Sequence, residues 1–392
     1  MEVLVLTPTF YPRVGGAEES MTQLYSGLVE KGVNVHVFTP KVIANSQLGR
    51  DSFMGVNIFR FVSIEYNKYS KFISYNIFGF IFLLYFLLKM KKRVDLIHVQ
   101  YLFPMGLLGV LFSKILRVPI VFSEHHYGTG SDISSYTENG NLINKICAFI
   151  FKKSDITVST GFTQNEFLEY LSDGSGTSKI KEIKLGAPEK KEKTNVDKLL
   201  LRKKYNLSTE FVFVSIGRLV KRKKFEKLIE LSKHLKKNCN IDFTILILGE
   251  GGERSYLEEQ IKEEGQQGNI VLLGSKIGKE KEELLFLSDL FLFTSEFEGS
   301  GLVYTEANAF GLPVIAFENE AVNSIYKNNH GGIVVKRDIK LMGDEIEKIL
   351  SDKGLYEDKI KQGYTLLEEY SWNKYSENYF DLFHLILKKY EK

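Results

Sequence analysis

The 392-residue chain predicts an α/β protein of two doubly wound domains, each built on a parallel β-sheet. Three observations carry this expectation. The length exceeds the roughly 250–300 residues at which one hydrophobic core stops growing. Short β-branched runs alternate with longer amphipathic stretches along nearly the whole chain. Those runs are almost continuously apolar, as strands covered by helices on both faces must be.

In the first half the expected strands are VLVLTP, VNVHVFTP, DLIHVQ, PIVFSE and DITVST; in the second, FVFVSIG, FTILILGEG, IVLLGS, LFLFTS and PVIAFE. Residues 189–198, EKKEKTNVDK, are charged and poor in apolar side chains, which reads as a linker between domains at 1–188 and 199–371. The terminal SWNKYSENYFDLFHLILKKY is an amphipathic helix over about 372–392, expected to pack back on the first domain.

Composition narrows the function classes. With 44% hydrophobic and 26% charged residues the balance is that of a globular protein. A net charge of +3 is too small to suggest a nucleic-acid partner. Residues 1–189 hold 19 Lys and Arg against 16 Asp and Glu, so the excess positive charge sits in the first half. Two distant cysteines, Cys147 and Cys239, make neither a disulfide framework nor a Cys-rich metal site, and fit a reducing, cytoplasmic compartment. The opening MEVLVLTPTF lacks a basic start and reads as a strand rather than a signal peptide.

Residues 72–88, FISYNIFGFIFLLYFLL, are shorter than the roughly 20 apolar residues of a spanning helix and include Ser74, Asn76 and Gly79. Lys89, Lys91, Lys92 and Arg93 follow. The first reading is a well-buried helix leading into DLIHVQ. The second is a helix over 72–93 that docks on an anionic membrane face. A span is the third, and it would cut apart what reads as one continuous αβ unit.

Ligands of open parallel sheets bind beyond the carboxyl ends of the strands, so the loops there are the candidate sites. After the first strand, Gly15 and Gly16 precede a helix, where amides and a helix N-terminus could meet an anion, or simply form a tight turn. Neither Gly-x-Gly-x-x-Gly nor a P-loop is present there. After FVFVSI comes Gly217-Arg218-Leu219-Val220-Lys221-Arg222-Lys223-Lys224, whose Arg218 and Lys223 could converge on a diphosphate or form a solvated basic loop. After LFLFTS, Gly299, Ser300, Gly301 and Leu302 open a helix, and Glu298 and Glu306 flank the string with seven residues between them. Acids so close to a phosphate site are costly unless they meet hydroxyls, as sugars offer.

These loops together resemble family 4 of the retaining glycosyltransferases (glycosyl transferases group 1). The matching motifs are Gly-Gly-Ala-Glu at 15–18, Gly-Arg-Leu with its Lys at 217–223, Gly-Glu-Gly-Gly-Glu-Arg at 249–254, Glu298 to Glu306, and the helix at Trp372. The resemblance spans nearly the whole chain. It implies the GT-B fold, two Rossmann-like domains whose parallel sheets face across a cleft. It implies that Arg218 and Lys223 bind the nucleotide diphosphate and stabilise it as it leaves. Glu306 would accept from ribose hydroxyls, Glu298 would contact the donor sugar, and Gly15 and Gly16 would face the diphosphate. Gly217, Gly249, Gly299, Ser300, Gly301 and Leu302 would line the nucleotide. His125 in PIVFSEHHYG best matches the family's cleft histidine, with His126 the adjacent alternative and a plain loop histidine the other reading.

Some positions depart from the family pattern: Ser300 for an aromatic, Lys224 for Gly, Leu185-Gly186-Ala187-Pro188 for Asn-Gly-Val-Asp, and Glu320 to Ser324 for a Gly-Gly loop. The last bears on the donor sugar. No Asp-x-Asp pair is present, so no metal and no cofactor are expected beyond a nucleotide-diphosphate sugar as co-substrate. The expected activity is retaining transfer of a sugar to a hydroxyl of a glycan or lipid-linked acceptor, in surface polysaccharide or glycolipid synthesis. Acceptor contacts are expected around 127–140 and 68–93. The alternatives are a non-catalytic subunit of the same shape supporting a partner transferase, and a nucleotide-sugar epimerase.

Overall fold

A computed structural model describes the chain except residues 14, 42–48, 65, 90–92, 126–140, 175, 192–197, 240, 300 and 391–392. The chain divides into two compact units, Met1–Gly186 with Trp372–Lys392, and Ala187–Ser371.

The first unit carries β1 (Glu2–Leu6), β2 (Asn34–Pro40), β3 (Gly49–Phe53), β4 (Val56–Phe61), β5 (Leu96–Gln100), β6 (Ile120–Glu124), β7 (Ile156–Ser159) and β8 (Ile180–Glu182). Their order in the sheet is β3-β4-β2-β1-β5-β6-β7-β8. Strand order reverses between β1 and β5, which makes the loops after these two strands the switch point where ligands bind in such sheets. Every residue of β1, β5 and β6 is buried, as their apolar runs require.

The sheet is parallel as expected except for one edge pair that the sequence did not announce. β3 pairs antiparallel with β4 at the edge. The turn explains it: Met54 and Gly55 both take positive φ, 50° and 77°, the backbone of a two-residue hairpin. Arg60 of β4 is buried there, donating to Asp51 Oδ2 at 2.7 Å and to the Tyr11 carbonyl at 2.8 Å.

The apolar segment forms one helix, Lys68–Lys89, longer than its 17-residue core. It is not the well-buried helix of the first reading. Ser74, Tyr75 and Leu83 are buried, and Asn76 Nδ2 donates to the Pro104 carbonyl at 2.9 Å. Gly79 lets the helix lie against the Gly106–Leu116 helix, since a Cβ there would stand 3.1 Å from Leu108. The other side is open: Ile73, Ile77, Ile81, Leu84, Tyr85 and Leu88 are exposed, Leu88 by 79%. Their spacing places them on one helical stripe. By length and composition the helix could cross a membrane.

The Trp372–Tyr390 helix belongs to this first unit and packs on the Gly16–Glu30 helix. A Cβ on Gly27 would press into Ser376 at 2.6 Å, and Tyr390 OH donates to Asp155 Oδ1 at 2.8 Å. Tyr375, Tyr379 and Phe383 bury its inner face.

The second unit holds β9 (Phe211–Ile216), β10 (Phe243–Leu248), β11 (Ile270–Gly274), β12 (Leu290–Phe293), β13 (Val314–Phe317) and β14 (Gly332–Val335). All pairings are parallel, in the order β11-β10-β9-β12-β13-β14. Here the order reverses between β9 and β12, so the loops following them flank this unit's switch point.

His98 of β5 sits in the first core, its Nδ1 3.0 Å from Tyr25 OH and its Nε2 2.8 Å from Ser123 Oγ. Burial, then the nearby His125, lowers its pKa to about 3. A depressed histidine is neutral when folded, whereas the unfolded chain binds a proton below about pH 6.5. The first unit therefore loses about 1.4 kcal/mol of stability per pH unit as pH falls from about 6.5 toward 3. Urea unfolding at pH 7 and pH 5 should show this loss in the wild type and a shallower pH dependence in His98→Asn.

Candidate active site

The loop after β9 is built around close backbone approaches. Gly217 N donates to the Leu248 carbonyl at 3.0 Å, and Leu219 N to the Glu250 carbonyl at 2.9 Å. A Cβ on Gly249 would overlap the Gly217 carbonyl, and one on Gly251 the Leu219 carbonyl. Glycine at 249 and 251 is thus a steric requirement of the Gly-Arg-Leu loop. The exposed Arg218 side chain leaves this loop with no side-chain hydrogen bond or ion pair among the described residues, while its carbonyl accepts from Val220 N at 2.9 Å.

Lys223 behaves differently. It ends a short 3-10 turn, Lys221–Lys223, and is buried, with its ammonium bonded to Glu298 and 5.1 Å from the centre of the Phe293 ring. Burial pushes its pKa down, Glu298 pulls it back up, and Arg222 and Arg218 lower it again. Arg222, half-buried, is likewise lowered first by burial, raised by Glu298 and lowered by Arg218. Lys223 and Arg222 therefore share the Glu298 carboxylate, with Arg218 close enough to repel both, so cations outnumber the carboxylate they gather around.

The loop after β12 is stitched to the same turn. Thr294 Oγ1 donates to the Lys224 carbonyl at 2.8 Å, and Glu296 N to the Arg222 carbonyl at 3.1 Å. Lys224 takes φ 52°, a left-handed conformation that accounts for the glycine expected at this position by resemblance. Gly301, at φ 66°, caps the Leu302–Ala309 helix, and a Cβ there would press on Tyr304 and Ile325. Gly299 lies two residues before, half-buried. The helix therefore starts where the cations gather, with its first amides unpaired by the helix itself. Glu306, on the second turn, pairs with Lys281 at 2.6 Å. Asn319 locks the neighbouring β13 loop in place, donating to the Ser295 carbonyl at 3.1 Å and capping the Glu320–Ile325 helix.

In the first unit, Gly15 precedes the Gly16–Glu30 helix in an extended conformation, φ −177°. The Glu18 carboxylate, which accepts from Thr9 Oγ1 at 2.7 Å, folds over the Gly15 α-carbon, a contact that a larger residue could displace. His125 follows β6, with its Nε2 2.6 Å from Gln100 Oε1 and its ring 5.2 Å from that of Tyr101. Tyr101, at this unit's switch point, carries φ 68°, costly for a bulky residue and found where backbone is held for function. His126, Ser300 and the 127–140 loop lie outside the described residues.

The structure thus brings Arg218, Lys223, Glu298, Gly217, Gly249, Gly301 and Leu302 to one switch point, and holds Glu306 by Lys281. Sequence reasoning missed Arg222, Lys281 and Gln100. Arg222 stood in the quoted motif. Lys281 and Gln100 had no local signal, since only the fold sets them beside Glu306 and His125.

Comparison with known proteins agrees with this geometry. The "Glycosyl transferases group 1" family model matches residues 197–366, and the "Glycosyltransferase Family 4" model matches residues 14–171. The chain is 23% identical over 360 residues to the N-acetyl-alpha-D-glucosaminyl L-malate synthase of Bacillus anthracis, covering 89% of this chain and 88% of that protein. It is 24% identical to the alpha-monoglucosyldiacylglycerol synthase of Acholeplasma laidlawii, covering 87% and 86%. The sucrose-phosphate synthase of Thermosynechococcus elongatus shares the fold at a TM-score of 0.78 and 18% identity, covering 99% of this chain and 100% of that one. Two doubly wound units of this kind are the GT-B architecture. The protein belongs to the group 1, family 4 glycosyltransferases and is a glycosyltransferase.

Removing one member of a buried ion pair strands the other. Lys223→Met should cost about 3–5 kcal/mol in the second unit's unfolding free energy. The double variant Lys223→Met with Glu298→Gln should recover part of that loss. Denaturant unfolding of the two single variants and the double variant measures the coupling.

Proposed function

We propose that this enzyme transfers a sugar from a nucleotide-diphosphate sugar to a hydroxyl of a lipid-linked or glycan acceptor, with retention of anomeric configuration and without a metal. The observation that carries the reading is the buried Lys223–Glu298 pair beside Arg218, Arg222 and the Leu302–Ala309 helix start. A ligand that brings both phosphate and hydroxyls satisfies each member of that pair separately. Lys223 then moves from Glu298 to a diphosphate oxygen, and Glu298 turns to the hydroxyls of the donor sugar. Glu306 exchanges Lys281 for ribose hydroxyls in the same way. The exposed Arg218 closes on the second phosphate as a planar fork.

As the bond from the anomeric carbon to the diphosphate breaks, charge grows on the leaving oxygen. Arg218, Lys223 and the helix amides are placed to meet it, which is the task a divalent cation would otherwise perform. The acceptor hydroxyl attacks from the leaving-group face, and its proton passes to a phosphate oxygen. His125 contacts the transferred sugar. The names of the relatives, which make a glucosyldiacylglycerol and a glucosaminyl malate, support a donor with a hexose-type sugar.

The exposed stripe of the Lys68–Lys89 helix supports an acceptor presented at a membrane. Its Ile73, Ile77, Ile81 and Leu88 are followed in sequence by Lys89, Lys91, Lys92 and Arg93, of which 91 and 92 lie outside the described residues. An apolar stripe next to a basic run suits an anionic lipid surface.

Assays with a panel of nucleotide sugars test the chemistry. Donor turnover should persist in EDTA, give a retained anomer by NMR, and fall about 100-fold in kcat for Arg218→Ala. Loss of activity in EDTA that Mg²⁺ restores would remove the metal-free claim. Sedimentation with anionic vesicles tests the membrane claim. Ile77→Ser with Ile81→Ser, and separately neutral replacements of Lys89, Lys91, Lys92 and Arg93, should each weaken binding about tenfold. Wild-type protein that ignores anionic vesicles, or instead dimerises through this stripe, overturns it.

A further inference from the structure

Three helices cover one face of the first unit's sheet. Lys68–Lys89 joins β4 to β5, Gly106–Leu116 joins β5 to β6, and Asn141–Lys153 lies between β6 and β7. Each crossing runs in the same direction along the strand order, so right-handed crossovers place all three on one side. They touch in that sequence: a Cβ on Gly79 would stand 3.1 Å from Leu108, and one on Gly106 would press on Ile150 at 2.9 Å. The Gly16–Glu30 helix joins β1 to β2 in the opposite direction and lies on the other face, where the C-terminal helix covers it.

The outer side of the three-helix layer is apolar beyond the stripe of its first helix. Leu111 and Ile115, one turn apart, are exposed on the second; Leu142 and Phe149, two turns apart, are exposed on the third. The charge of the layer has one sign. None of the three helices contains Asp or Glu, although the chain carries 49 in 392 residues. Their last turns hold Lys89, Lys114, Lys152 and Lys153, and Lys145 is exposed between Leu142 and Phe149. The helix macrodipole accounts for cations in last turns. It does not account for three first turns without an acid, where a carboxylate stabilises and where the Gly16–Glu30 helix has Glu18 and Glu19.

One occupant fits such a face. A second copy would set lysine against lysine. A span by Lys68–Lys89 would strip Tyr75 and Leu83 from the core and Asn76 from the Pro104 carbonyl. An anionic bilayer takes the apolar side chains into its acyl boundary and meets the lysine heads with phosphates. We propose that the whole outer side of this layer, not the Lys68–Lys89 helix alone, is a lipid-binding face that seats the first unit flat on an anionic bilayer. The proposal rests on the membrane reading given above and adds two helices which that reading leaves out. Laid on this face, the strands run along the bilayer. The carboxyl edge of the sheet, with Gly15 and His125, then opens along the lipid surface rather than away from it.

Sedimentation of the full-length protein with vesicles of equal parts phosphatidylcholine and phosphatidylglycerol tests this. Leu111→Ser with Ile115→Ser, and separately Leu142→Ser with Phe149→Ser, should each weaken binding about tenfold. Lys114→Glu with Lys145→Glu should weaken it at least as much, and more at low salt than at high. Tyr256→Ser, which removes an exposed aromatic of the second unit, should bind like wild type. Thermal unfolding midpoints near that of wild type show that each variant folds. Unchanged binding in the variants of the second and third helices, with binding lost in Ile77→Ser with Ile81→Ser, overturns the three-helix face and leaves the single-helix reading standing. Wild-type protein that stays in the supernatant overturns both. A wild-type dimer that Leu111→Ser with Ile115→Ser dissociates, or protein that withstands alkaline carbonate extraction as a span does, overturns the choice of occupant.

Discussion

The second unit is organised around one buried ion pair, Lys223 with Glu298. Neither group would be tolerated there alone, because each has given up water. The pair exists because β9 and β12 are neighbours at the point where strand order reverses, and their loops are hydrogen-bonded to each other. Burial pushes the pKa of Lys223 down, Glu298 pulls it back up, and two arginines lower it again. Such a cation gains when a doubly charged anion arrives, and a carboxylate freed at the same moment gains from hydroxyls. On the proposed function, such a pair is held closed by its own members until a ligand separates them; Lys281 with Glu306 is a second, more exposed ion pair beside it.

The first unit shows a different economy. Besides the Arg60–Asp51 pair at its edge, its core joins neutral side chains by hydrogen bonds, with His98 held uncharged by burial. The same unit leaves a stripe of isoleucine and leucine exposed on the Lys68–Lys89 helix. One unit gathers cations at its switch point, and the other joins a neutral buried core to an apolar outer face.

Much of this architecture was legible in the sequence. The buried strands β1, β2, β5, β6 and β7, and β9 through β13, announced themselves as apolar runs, and the glycine-bearing loops marked the carboxyl ends that matter. The β3–β4 hairpin did not, because GRDSF has a single large apolar residue, none of its five residues is fully buried, and its turn pairs glycine with methionine. β8 and β14 were missed as strands of three and four residues at the sheet edges. The apolar composition of 72–88 was plain, but which of its faces would be covered depended on Gly79 meeting Leu108. Among site residues, Arg218, Lys223, Glu298 and Gly301 could be named from motifs. That Lys223 and Glu298 bind each other, 75 positions apart, is a property of strand order.

The central claim is that this charge cluster exists to take up a pyrophosphate. A crystal structure of the enzyme with a nucleoside diphosphate tests it most directly. The account expects Lys223 Nζ and the Arg218 guanidinium on phosphate oxygens near the Leu302 amide, with Glu298 released from Lys223. A nucleotide bound elsewhere, over an intact Lys223–Glu298 pair, would contradict it.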